Sequence, residues 1–299
     1  MAEVIAVDVG GTSIKAGVVR RDGSLVETSR VRTPPAGQDG AAVLDAVAGL
    51  VDALRGPAQP VAVGVAVPGV VDEDAGVAVL SENLTWQDVP IAAALTARLG
   101  CPVAVGHDVR VGGLAEHRIG ACQGSTNAAF VPVGTGIAAA LVIDGRICRG
   151  DGYAGEVGHI DVGHDLPCAC GGRGCLEAIA SAAALARRYT ERTGVRVDGS
   201  REVAERVRQG DKDALEVWGD ALDALGHGLA TLVGLVAPEV IAIGGGFGES
   251  PDLVIEPLRS RLRSRLTFHR MPRVVPAELG ERAGCVGAGL LAWDRVAPG

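Results

Sequence analysis

Short apolar runs, punctuated by glycine, aspartate and threonine, open the chain and recur along it. VIAVDVG (4–10), IKAGVVR (14–20) and SLVETSRV (24–31) are too short for helices and rich in β-branched residues, so they read as strands. A Gly-Gly-Thr turn joins the first two, and Asp22-Gly23 is a strong hairpin signal between the second and third. Residues 40–55, GAAVLDAVAGLVDALR, carry apolar side chains at helical spacing. VAVGVAV (61–67) is a continuous apolar strand, and PVAVGHD (102–108) ends another before the helical VRVGGLAEHRIG (109–120). This order predicts an α/β unit with a mixed sheet.

Around Asn127 the pattern starts again with AAFVPVG, TGIAAALVIDG and RICRG. The segments VDVGGTSIKAGVVRRDG and VPVGTGIAAALVIDG share a strand, a Val-Gly with threonine nearby, a second apolar strand and an Asp-Gly turn. Glycine and threonine at a tight hairpin let backbone N–H groups approach an anion with no Cβ in the way. One such hairpin is an ordinary turn. Two of them, with a third glycine cluster in VIAIGGGFGES (240–250), predict two similar lobes that grip a nucleotide. Neither hairpin contains GxxxxGK[ST] or GxGxxG, which argues against P-loop and dinucleotide-binding folds.

Length agrees with two domains around one cleft, since 299 residues exceed the usual single core. The residues are 47% hydrophobic, but no window approaches the roughly 18 unbroken apolar residues of a membrane span. MAEVIAVDVGG lacks a basic leader and a cleavage pattern, so a cytoplasmic protein without a membrane partner is expected. A net charge of −8 argues against a nucleic-acid partner. The basic run RSRLRSRLTFHR (259–270) reads as a solvated helix face.

Seven cysteines, an odd number in clustered spacing, do not form a secreted disulfide framework and point to reduced thiols or metal. Three fall in EVGHIDVGHDLPCACGGRGCLE (156–177). His159, Cys168, Cys170 and Cys175 form an H-x8-C-x-C-x4-C set suited to a closed structural zinc site, with His164 an alternative fourth ligand that spacing leaves open. Zinc would fix Glu156 and Glu177 at the two ends of the loop as acceptors for a polyol.

These residues resemble the ROK family of sugar kinases and sugar-responsive repressors. The resemblance rests on Glu156-x-Gly158-His159 followed by Cys168-x-Cys170-Gly171-x-x-Gly174-Cys175-x-Glu177. It extends through Asp8-x-Gly10-Gly11-Thr12, Pro68-Gly69-x-x-Asp72, Asn83-Leu84-x-Trp86, Asp108, Gly134-Thr135-Gly136 and Gly244-Gly245-Gly246. It implies an actin-like ATPase (ribonuclease H-like) α/β fold with two lobes around a central cleft. It also implies ATP and magnesium as cofactors and phosphorylation of a hexose, with glucose at the 6-hydroxyl as the leading substrate. Asp108 is similar in position to the family's catalytic base. By the same resemblance Asn83, His107, Asp108, Glu156, His159 and Glu177 contact sugar. Asp8, Gly10, Gly11, Thr12, Lys15, Gly134, Thr135, Gly136, Gly245 and Gly246 hold the nucleotide, Asp8 through magnesium.

Two departures qualify the pattern. His107 stands where family glucokinases carry asparagine, and the interval from His159 to Cys168 is one residue shorter than the common arrangement. The first leaves another hexose, an amino sugar or a cyclitol open as substrate; polyphosphate stays open as donor. A sugar-sensing regulator is the rival class, but the first phosphate hairpin begins at Asp8, so no DNA-binding segment is expected ahead of it. The expected architecture is a smaller lobe of 1–107, completed by a helix near 284–297, and a larger lobe of 108–283 containing the zinc loop. The resemblance also implies a homo-oligomer, a dimer or tetramer.

Overall fold

The computed structural model describes residues 3–35, 37–56 and 59–296. Residue 297 of the expected last helix lies outside them. The elements run β1 (Val4–Val9), β2 (Ser13–Val19), β3 (Leu25–Arg32), α1 (Ala41–Leu54), β4 (Ala62–Val67), β5 (Val70–Asp72), β6 (Val77–Ser81), β7 (Trp86–Val89), α2 (Ile91–Leu99), β8 (Val103–His107) and α3 (Asp108–Ile119). They continue with β9 (Ala128–Pro132), β10 (Ala140–Ile143), β11 (Arg146–Ile147), α4 (Leu176–Ala180), α5 (Ala182–Thr193), α6 (Ser200–Arg208) and α7 (Lys212–Val236). The chain then forms β12 (Val240–Gly244), α8 (Gly245–Gly248), α9 (Pro251–Arg265), β13 (Arg273–Pro276) and α10 (Ala283–Val296). Two compact units emerge, one from residues 1–119, 149–154 and 281–299, the other from 120–148 and 155–280.

In the first unit a five-stranded sheet has the order β3-β2-β1-β4-β8. The β1–β2 and β2–β3 pairs are antiparallel, whereas β1–β4 and β4–β8 are parallel. Strand alternation divides its side chains between two cores. Ile5, Val7, Val9, Val63, Val65 and Val67 face α1 and α2, while Val4, Ala6, Ala62 and Ala66 pack with Val111, Ala288, Ala292 and Trp293 of α3 and α10. The second face is made of small residues, so α10 comes close. A Cβ added to Gly64 would lie 1.9 Å from the Ala288 carbonyl oxygen, and one on Gly287 would lie 1.8 Å from that of Val111. The exposed edge strand β3 carries Glu27, Arg30 and Arg32, charges that deter further pairing. A separate antiparallel sheet, β5-β6-β7, completes the unit.

The second unit repeats the plan, with sheet order β11-β10-β9-β12-β13. Here too the first two pairings are antiparallel and the last two parallel. Asp144 (φ 50°) and Gly145 (φ 74°) both adopt the positive φ that a two-residue hairpin between β10 and β11 requires. The expected strand over 135–145 is shorter than its apolar pattern, and only Ala140–Ile143 joins the sheet. Before it the backbone turns away, with Ala139 N–H donating to the Gly155 carbonyl at 2.7 Å. The 25-residue α7 is capped by Asp211, whose carboxylate accepts from Asp213 and Ala214 N–H. It buries Val217, Trp218, Ala221, Leu225, Leu229 and Leu232 at helical spacing. Trp218 stacks on Phe247 with centroids 4.4 Å apart. Arg259 and Arg261 of the basic run pair with Glu256 and Asp223 on the surface of α9.

Candidate functional site

Parallel β1, β4 and β8 deliver their carboxyl ends to one edge of the first sheet, where ligands of open α/β sheets bind. Gly10-Gly11-Thr12 and Pro68-Gly69 follow the first two ends, and His107 closes the third, with Asp108 next. Thr33 pins the first hairpin twice, its N–H donating to the Thr12 carbonyl at 3.0 Å and its hydroxyl to the Gly10 carbonyl at 2.6 Å. Asn83 lies on the exposed turn between β6 and β7, anchored by buried Leu84 and Trp86. A Cβ on Gly11 would be 3.9 Å from that of Asn83, so the structure brings turn and hairpin together.

Asp8 faces Lys15 across the β1–β2 ladder. Burial pushes its carboxyl up to about 6, and Lys15 pulls in the opposite direction. Lys15 itself pairs with Glu281 at 2.9 Å. A carboxylate whose ionisation is opposed by desolvation suits a divalent cation, and Asp8 is the residue here that would hold magnesium.

Asp108 is the first residue of α3, its side chain 34% exposed. Its Oδ1 accepts the Val109 N–H at 2.7 Å and lies 3.3 Å from Nε2 of His107. His107 Nδ1 accepts the Arg110 N–H at 3.4 Å, which places the ring proton on Nε2, facing the carboxylate. Desolvation, aided by the Arg110 charge, pushes the His107 imidazole down to about 3, so the ring is neutral. Behind it lies a buried cluster that no sequence rule announced. Arg110 donates from Nε to Glu73 Oε1 at 2.7 Å and from Nη1 to the Gly152 carbonyl at 3.1 Å. Arg149 holds the other Glu73 oxygen at 3.0 Å. Glu73 also lies 3.3 Å from the His107 N–H, so it braces both His107 and Arg110.

In the second unit β9 and β12 end side by side, Gly244 opposite Pro132. Gly134-Thr135-Gly136 and Gly245-Gly246 therefore adjoin. The Val133 N–H donates to the Gly244 carbonyl at 2.9 Å, and the Phe247 N–H to that of Val133 at 3.1 Å. A Cβ on Gly245 would lie 2.5 Å from the Val133 carbonyl oxygen, so the positive φ of 72° and the close approach both call for glycine. Glu177 reaches the same hairpin, its Oε2 accepting the Ile137 N–H at 2.8 Å.

His159, Cys168, Cys170 and Cys175 present ligand atoms that all lie within 4.8 Å of one another. The Cys170 and Cys175 sulfurs are 3.7 Å apart, against about 3.8 Å for two sulfurs on a tetrahedral zinc. Cys168 Sγ is 3.8 Å from Nδ1 of His159, while Nε2 of that ring faces Glu156 at 4.0 Å. The donor set fits zinc, with one imidazole nitrogen left for another partner. Burial, followed by hydrogen bonds to Cys170 and Cys168, pushes the Cys175 thiol up to about 12, a cost that a bound cation would reverse. His164 is not in this cluster. Its Nδ1 accepts the Leu166 N–H at 3.0 Å, which leaves Nε2 to donate to the Cys175 carbonyl, also at 3.0 Å. It shapes the loop from behind.

Comparison with known proteins matches residues 4–295 to the ROK family. A glucokinase of Streptomyces coelicolor is 33% identical over 315 residues, covering 98% of each chain. A crystal structure of a ROK family glucokinase from Streptomyces griseus, in complex with glucose and AMPPNP, superposes with a TM-score of 0.87 at 33% identity, covering 98% of this chain and 100% of that one. A ROK hexokinase from Thermus thermophilus gives 0.85 at 34% identity, covering 99% and 100%.

Proposed function

Because the chain belongs to the ROK family, whose glucokinases it matches along nearly their full length, we propose that it transfers the γ-phosphoryl group of ATP to a hexose. Glucose, at its 6-hydroxyl, is the substrate proposed first. The observation that carries the proposal is Asp108, held by the Val109 N–H and a neutral His107 at the sheet edge that also presents the Gly10-Gly11-Thr12 hairpin. As the sugar oxygen bonds to the γ-phosphorus, its proton passes to the Asp108 carboxylate, and the bond from phosphorus to the bridging oxygen breaks to release ADP. The Gly10-Gly11-Thr12 and Gly134-Thr135-Gly136 hairpins supply N–H groups to the phosphates, with Gly245 and Gly246 beside the nucleoside. Magnesium, when bound, offsets charge on the transferring group, and Asp8 would hold it. Asn83, Glu156, His159 and Glu177 hydrogen-bond the sugar hydroxyls, and zinc on His159 and the three cysteines fixes the last three of these. A cytoplasmic homo-oligomer belongs to the same proposal.

The test is ADP release from Mg-ATP across hexoses in the wild type and in Asp108→Asn. An amide keeps the shape but cannot accept the proton, so turnover is expected to fall by at least ~100-fold while sugar affinity changes little. Unchanged turnover in the variant would remove Asp108 from this role, and turnover with polyphosphate alone would replace the donor.

His107 sets sugar preference within this proposal. A family asparagine offers donor and acceptor on one amide, whereas this neutral ring turns its Nε2 proton toward Asp108 and its Nδ1 toward the Arg110 N–H. The sugar oxygen that the amide would read loses that partner, so mannose, an amino sugar or a cyclitol is expected to rival glucose more closely than in His107→Asn. The measurement is kcat/KM over the same panel. An identical ranking in the two proteins would rule out His107 as a determinant.

A further inference from the structure

The two phosphate hairpins are fastened by different means. Thr33, from the adjoining strand end, pins the first. The second is held at both ends by the segment that leaves the metal-binding loop. Glu177 Oε2 accepts the N–H of Ile137, immediately after Gly136, at 2.8 Å, and the Ala182 N–H donates to the Gly134 carbonyl, also at 2.8 Å. Gly136 lies flat against the carboxylate, since a Cβ there would be 2.6 Å from Oε2. Helix α4 thus spans the Gly134-Thr135-Gly136 triplet like a brace, and its N-terminal flank is Cys175, one of the four clustered metal-ligand candidates. The Leu176 N–H, bonded to the Ile160 carbonyl at 3.0 Å, ties the brace to the other end of that loop.

We infer that Glu177 is a positioning residue for the nucleotide: by holding the Ile137 N–H, its carboxylate sets the phosphate hairpin, and nucleotide affinity therefore depends on the metal-binding loop. The inference rests on the kinase reading, in which the same carboxylate also accepts a sugar hydroxyl. Two oxygens with about four lone-pair sites can serve both partners. Sugar and nucleotide then share one group, so whatever factor one imposes on the other's affinity is returned in equal measure.

The experiment measures the affinity of a non-hydrolysable ATP analogue by calorimetry without sugar, and amide hydrogen exchange over 134–139, in four proteins. Glu177→Ala removes the acceptor. Glu177→Gln keeps an acceptor oxygen on the same stem. Ala182→Pro deletes the other strut at a first-turn position where a helix tolerates proline, guarding against a fold defect peculiar to residue 177. Glu177→Ala and Ala182→Pro are each expected to weaken the analogue roughly tenfold, the scale of one charge-assisted hydrogen bond, and to speed exchange over 134–139. Glu177→Gln should stay within about twofold of wild type on both readouts while sugar affinity falls. Chelated wild type should reproduce the faster exchange. Wild-type analogue affinity in Glu177→Ala, equal losses in Glu177→Gln and Glu177→Ala, or no analogue binding by the wild type would each overturn the inference. Failure of the kinase reading is separate, because it appears as no ADP release from wild type with any sugar.

Discussion

Asp8 shows how one carboxyl can make stability depend on both pH and metal. Its folded value of about 6 stands above the ordinary 3.8, so between these values the folded protein holds a proton that the unfolded chain has lost. The group's contribution is full below about 4 and is lost as pH rises through 6. The effect is on the order of 1 kcal/mol, or about 2–4 °C in Tm. In metal-free buffer the wild type should therefore lose Tm relative to Asp8→Asn between pH 4 and 7. Magnesium should recover part of the loss at pH 7 and none at pH 4.5. Parallel pH profiles in thermal melts would show that Asp8 is not under this strain. Asp8 itself was legible in the sequence only through the resemblance, as the first residue of Asp8-x-Gly10-Gly11-Thr12. Glu73, Arg110 and Arg149 were not, because no spacing rule connects residues 37 or more positions apart that meet only when β8 has docked. Thr33 was hidden for the same reason, since its partners lie across β2 and β3.

Among elements, the segment 155–159 carries the tightest backbone approach near the candidate site. A Cβ on Gly158 would lie 2.1 Å from the Ile137 carbonyl oxygen, and one on Gly155 would lie 1.9 Å from that of Ala139. Both obstacles are backbone, so relief requires the segment to move. Gly158→Ala should displace Glu156 and His159 together, cost about 1–3 kcal/mol as overpacking does, and reduce the metal held per chain. Elemental analysis and denaturant unfolding check this; full metal content and an unchanged midpoint would show that the contact yields freely. The central strands and α1 were legible because their apolar residues alternate or recur at clear periods. The β5-β6-β7 sheet was not, since its strands are only three to five residues long and their burial alternates imperfectly. Apolar pattern also overstated β10, because Ile137 and Ala139 are apolar for packing while the Ile137 N–H goes to Glu177 and the Ala139 N–H to the Gly155 carbonyl, not to the ladder.

For the molecule as a whole, the repeated sequence pattern corresponds to repeated topology, two five-stranded sheets with matching orders of antiparallel and parallel pairing. Glycine hairpins, Asp-Gly turns and apolar strands made that repeat readable, since each depends only on neighbours in the chain. Which segment completes which unit depends on long-range packing, and one consequence concerns how the protein is made. The first unit needs α10, whose Ala288, Ala292 and Trp293 cover Val4, Ala6, Ala62 and Ala66, and whose Trp293 indole donates to the Val19 carbonyl at 3.0 Å. On the ribosome, residues 1–119 emerge with that apolar face of β1 and β4 uncovered by α10, and they wait while 120–280 are translated at roughly 5–20 residues per second. The second unit has all its strands before α10 exists, so the half that is synthesised first is expected to finish folding last.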